Sequence, residues 1–159
     1  MSKEEILLIA DKVNSMLDDF LVLEEKIFGS PSFFKTLKNI FKKKVDFKEC
    51  YEQLRVMMAD FDNHLSVIDS FIASDEQERD FQQILQQYTM ALKEAVAKAT
   101  GVAKNLAVKS EEGSMAWSSY KDQVDDLKKA EQQYVLLGHE VTRQYQALYK
   151  VYLEITQGK

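Results

Sequence analysis

The chain has 159 residues and a formal net charge of −5, with one proline, five glycines, one cysteine and two histidines. That length suits a single domain spanning 1–159, and so few turn residues set all-β and α/β folds aside in favour of an all-α one. The lone Cys50 excludes an internal disulfide and a thiolate metal centre and fits a reducing, cytoplasmic setting. No apolar run approaches the ~18 residues that cross a bilayer.

The N-terminus, Met1-Ser2-Lys3-Glu4-Glu5, is acidic where a secretory leader would be basic. Ile6, Ile9, Val13, Met16, Phe20, Leu23 and Ile27 then recur at alternating spacings of three and four. This is the period of a helix that buries one stripe, and it predicts a first long helix over 3–28. Ser2 with Glu5 forms a capping box at its start, and Gly29 suits its end.

Ser30 and Pro31 open the next predicted element, where proline's missing N–H costs nothing. At ~100° per residue Phe33, Phe34, Leu37, Ile40 and Phe41 share an arc of ~120°, with Lys35, Lys38 and Lys42 opposite. Residues 31–44, which end in Lys42-Lys43-Lys44, thus read as a short basic amphipathic helix.

Asp46 with Glu49 forms a second capping box and predicts a long helix over 47–73. Its seam is Phe47, Cys50, Leu54, Met57, Phe61, His64, Ile68 and Phe71, widened by Tyr51, Met58, Leu65 and Ile72. So wide an apolar face belongs in a bundle core rather than a two-stranded coil. Ser74 with Gln77 is a third box, ahead of a helix over 75–109 whose seam runs from Phe81 through Leu85, Tyr88 and Leu92 to Leu106. Gly101 interrupts this run and marks a candidate bend.

Ser110–Ser114 reads as a loop, and a last helix follows to about 156. Its seam includes Trp117, Tyr120, Val124, Leu127, Tyr134, Val141, Tyr145, Leu148, Tyr152 and Ile155, and is broken at Glu131 and Gly138. With Leu136 and Leu137 beside the break, the pattern predicts a kink or a shift of the buried face there. The four long helices differ in length, so the end of the last one is expected to bend, to pack on the basic segment, or to pack on a second copy. The architecture predicted is an antiparallel four-helix bundle of coiled-coil-like helices, with the short basic helix between the first two.

Charge is segregated along the chain. Residues 30–48 carry six lysines against Asp46 alone, a net +5 on a body of −10. Three uses compete for this segment: a solvated cap on the bundle, an interfacial helix on an anionic membrane or granule surface, or a docking site for an acidic protein. Nucleic acid is disfavoured, because the protein is acidic overall and the segment has no arginine for base readout.

Catalytic patterns are scarce. Three residues before His64 and His139 stand Phe61 and Leu136, which excludes the Glu-x-x-His pairs of a di-iron bundle. Asp60 and His64 make half a metal site, and His64 reads more simply as a partly buried core histidine, with His139 in solvent. Cys50 lies on a seam and reads as an inert thiol. There is no glycine-rich phosphate loop and no nucleophile elbow. The chain is therefore expected to be non-catalytic and free of cofactor and metal: an interaction module of the adaptor, chaperone, inhibitor or effector type. Its candidate contact residues are Phe33, Phe34, Lys35, Lys38, Phe41, Lys42, Lys43 and Lys44 in the basic segment, and Tyr145, Tyr149 and Tyr152 on the last helix. The alternative is a peripheral membrane- or granule-surface protein that uses 31–44.

Overall fold

A computed structural model describes residues 2–28, 46–112 and 117–158. Among these the protein is all-helical, with four helices and no strand: α1 Ser2–Phe28, α2 Phe47–Ser70, α3 Glu76–Glu112 and α4 Trp117–Gln157. At 1.5 Å per residue they are ~40, ~36, ~56 and ~62 Å long. The predicted basic helix over 31–44 lies outside the described residues, as do Gly29, Ser30 and Pro31.

α3 packs along both α2 and α4, while α1 touches all three other helices. Among the described residues α2 and α4 share no Cα pair within 8 Å. This central position explains why α3 buries two adjacent rows, Ala95 with Val96 and Val102 with Ala103. A single heptad seam accounts for only one of those rows. The seams of α1 and α2 are otherwise largely where the period puts them, with Ile6, Val13, Phe20, Leu54, Phe61 and Ile68 fully enclosed. Leu7, Ala10 and Phe28 join the core beside the α1 seam. Truncating a large core residue such as Leu92 to Ala would cost about 2–5 kcal/mol.

Helix ends follow local chemistry, with three departures from the sequence expectations. The Asp46 carboxylate accepts the Glu49 N–H at 3.0 Å, the N-cap half of the expected box, while the Glu49 carboxylate accepts the side-chain amide of Gln53. α2 stops at Ser70 rather than 73, because Phe71 turns to an extended conformation. The side-chain amide of Gln82 donates to the carbonyls of Ile68 and Phe71, at 2.7 and 2.8 Å, and the Ile68 carbonyl also accepts the Phe71 N–H at 3.2 Å.

The cap of α3 lies one residue later than Ser74-x-x-Gln77 implies. Asp75 accepts the Glu78 N–H at 2.8 Å, and Glu78 reaches back to the Ser74 N–H and hydroxyl. Lys3 of α1 closes this cluster, with Nζ 2.6 Å from Asp75 and 2.7 Å from Glu78. Finally, Ser110, Glu111 and Glu112 form the last turn of α3 rather than a loop. Residues 113–116 of the predicted connection lie outside the described residues.

α4 runs as one helix through both breaks in its seam. Of the two leucines beside the break, Leu136 is exposed, whereas Leu137 is half-buried and packs against the core. A Cβ at Gly138 would stand 3.1 Å from the ring of Tyr88, so the missing side chain is what admits that tyrosine. A Cβ at Gly101 would meet nothing within 4 Å, and this glycine lies on the exposed side of an unbroken α3.

Candidate functional site

The tyrosines at 145, 149 and 152 recur at helical spacing and their rings form a ladder along α4. Tyr145 and Tyr149 stack with centroids 6.1 Å apart and planes 14° from parallel, and Tyr152 follows at 6.3 Å. Phe81 of α3 anchors the buried end, 6.2 Å from Tyr145. Tyr145 also donates its hydroxyl to Asp11 of α1 at 2.8 Å. Burial, then this bond to a carboxylate, pushes its phenol up to about 12. Tyr149 is 44% exposed. Tyr134, which shares the heptad seam, is buried in the core instead.

A polar cluster lies deeper, between α1 and α4. Glu24 is half-buried, and burial, followed by the hydrogen bond and repulsion it shares with Glu131, raises its carboxyl to about 9. The pair therefore holds a proton at neutral pH. Glu131 Oε1 is enclosed and has no hydrogen-bond partner among the described residues. Tyr134 is driven upward by burial and then by both glutamates and Tyr88. The break that Glu131 makes in the α4 seam is thus the α4 half of a paired acid, and its partner is 107 positions earlier in the chain.

A groove of about 560 Å³ opens between α1 and α2. Its floor is Met16, Leu23 and Met57, with Val22 and Val56 on its walls. Asp19, Glu49, Glu52 and Asp60 rim it, against Lys26 as the one cation among its described lining residues. Val22 and Val56 are 55% and 63% exposed, so this apolar surface is open to solvent. No sequence pattern announces the groove, because Val22 and Val56 belong to neither helix's seam.

The remaining candidates behave as core or surface groups. Cys50 is buried, which raises its thiol pKa. His64 is half-buried, and desolvation and then Lys12 lower its pKa against the pull of Asp60. His139 is exposed. Among the described residues no three His, Cys, Asp or Glu side chains are placed to hold one metal ion. No described helix is long and apolar enough to cross a membrane. Phe33, Phe34, Lys35, Lys38, Phe41, Lys42, Lys43 and Lys44 all lie outside the described residues, so only the tyrosine half of the expected contact surface has a described geometry. The chain matches no family model, no curated protein and no solved structure.

Proposed function

We propose that this chain is a non-catalytic, cytoplasmic protein-interaction module, a single domain built as an antiparallel four-helix bundle. The antiparallel arrangement is supported by contact registers. Residues 58, 62 and 69 of α2 meet 100, 93 and 86 of α3. Residues 11 and 24 of α1 meet 145 and 131 of α4. In each pairing one number rises as the other falls.

The binding surface proposed is the tyrosine side of α4, the basic segment 31–44, or both. The observation that carries this reading is the tyrosine ladder. A core requires Tyr145 to pack on Phe81, but it does not require the outward extension of that stack through Tyr149. Partly exposed tyrosines offer large, stiff contact area with a polar tip, which is why they concentrate at interfaces. The basic segment, +5 on an acidic body, would select an acidic protein surface.

The test is a cross-linked pull-down from the native cell with three baits: the parent chain, Tyr149→Ser/Tyr152→Ser, and Lys42→Glu/Lys43→Glu/Lys44→Glu. A partner captured by the parent and depleted at least fivefold by one variant supports the module and names its surface. Equal capture by all three baits refutes the assignment of binding to these two surfaces.

The segregated charge also favours a second reading, a peripheral membrane or granule-surface protein that inserts the phenylalanines of 31–44. Co-sedimentation with phosphatidylserine vesicles that the lysine reversal abolishes would establish that reading. Homodimerisation through α4, where Leu136 and Ile155 are exposed, is part of the proposal and is read by light scattering after size exclusion.

A further inference from the structure

The groove between α1 and α2 is unused by the surfaces proposed above. From Met16 to Lys26 on one wall and from Glu49 to Asp60 on the other, it runs three helical turns, ~15 Å. Its composition is that of a helix receptor: exposed valines and adaptable methionines inside, acids along both edges. We propose that this groove receives an amphipathic helix of about three turns from a partner protein. The partner's apolar stripe lies on Val22, Val56 and Met57, and its lysines or arginines meet Asp19, Glu52 and Asp60.

Charge complementarity decides the chemistry of the partner. Among the described lining residues, four carboxylates against Lys26 leave the rim at −3, which repels an acidic or phosphorylated segment and holds a cationic one in register. The chain's own basic segment is the competing occupant, and it lies outside the described residues. Binding of the free cationic probe that appears only after Lys42→Glu/Lys43→Glu/Lys44→Glu in the chain would assign the groove to that segment and overturn the proposal. This inference deepens the interaction-module reading, adding a site whose partner chemistry is opposite to that of the basic segment.

The test is fluorescence anisotropy with the full chain and two labelled synthetic probes. One probe has the sequence of residues 31–44, used as a free cationic amphipathic peptide, and the other has its lysines replaced by glutamine. The expected result is saturable one-to-one binding of the cationic probe. Both Val56→Asp and the rim reversal Asp19→Lys/Glu52→Lys should weaken it about tenfold or more, and Tyr149→Ser should leave it unchanged. All these side chains are exposed, and helical circular dichroism verifies that each variant is folded. Absence of saturable binding, equal binding of the uncharged probe, or binding indifferent to both groove variants overturns the proposal. So does a dimer that Val56→Asp dissociates, since the groove would then belong to a second copy. The pull-down baits leave the groove intact, so the two proposals fail separately.

Discussion

Replacing Glu24 by Gln is expected to stabilise the protein at alkaline pH and to flatten its pH dependence. In the unfolded chain this carboxyl ionises near 4.5, whereas burial and Glu131 hold its proton to about 9 in the folded state. Between those values folding takes up a proton, so stability falls as pH rises, by at most about 1.4 kcal/mol per pH unit. Below 4.5 both states are protonated and above 9 both are ionised, so the dependence is confined to that window. Integrated from 4.5 to pH 8 the limit is ~5 kcal/mol. Halving it for the water that reaches a half-buried side chain leaves a penalty of about 2–3 kcal/mol at pH 8. That is a large share of a typical 5–15 kcal/mol. Glutamine keeps a donor for Glu131 but has no proton to lose, so Glu24→Gln removes the penalty. Urea unfolding followed by circular dichroism at pH 6, 7, 8 and 9 measures it, and the melting temperature at pH 8 should rise by roughly 4–12 °C. A parent protein whose stability is constant from pH 6 to 9, or a Glu24→Gln variant less stable than the parent at pH 8, refutes the reasoning.

Four further outcomes are expected. Gly101→Ala, with open space at its Cβ, should gain close to the ~1 kcal/mol helix preference for alanine. Gly138→Ala should lose that gain and more, because its Cβ meets the buried Tyr88 ring at 3.1 Å; chemical denaturation of the two variants side by side tests this. In the cluster that docks α1 on the start of α3, the bond from Lys3 lowers the Asp75 carboxyl; for Glu78 burial pushes upward, but bonds from Lys3 and Ser74 outweigh it. Folded carboxyls held low contribute stability above their unfolded values near 4, and lose it as pH falls through the folded ones. Lys3→Met should therefore cost about 2 kcal/mol at pH 7 and weaken the fall in stability below pH 4, read by acid titration of the circular dichroism signal. Lastly, Cys50 should react with iodoacetamide at pH 8 far more slowly in the native protein than in urea, since burial both shields the thiol and raises its pKa. Equal rates would place it outside the core.

The all-helical class and much of the core were legible in the order of the residues. Alternating spacings of three and four can bury a stripe only in a helix, so Phe20, Phe61, Leu92 and Leu148 are placed in the core by period alone. Helix ends were legible where one side chain caps its own backbone, as at Asp46. They were misplaced where the partner comes from afar, as with Gln82 on the carbonyls of Ile68 and Phe71. Of the expected contact residues, Tyr145, Tyr149 and Tyr152 share one face because i, i+4 and i+7 coincide on a helix.

Short-range geometry is thus enough for the helices, their apolar stripes, and a charge imbalance concentrated in residues 30–48. Tertiary structure decided what the irregularities in those stripes are for. Glu131 looked like a defect in a seam until α1 brought Glu24 against it, and Gly138 looked like a kink until α3 set Tyr88 there. The valines outside both seams became the walls of a groove only when α1 and α2 came side by side. Burial and charge pairing depend on which helix faces which. That is settled by packing between residues tens of positions apart, and helical periodicity says nothing about it.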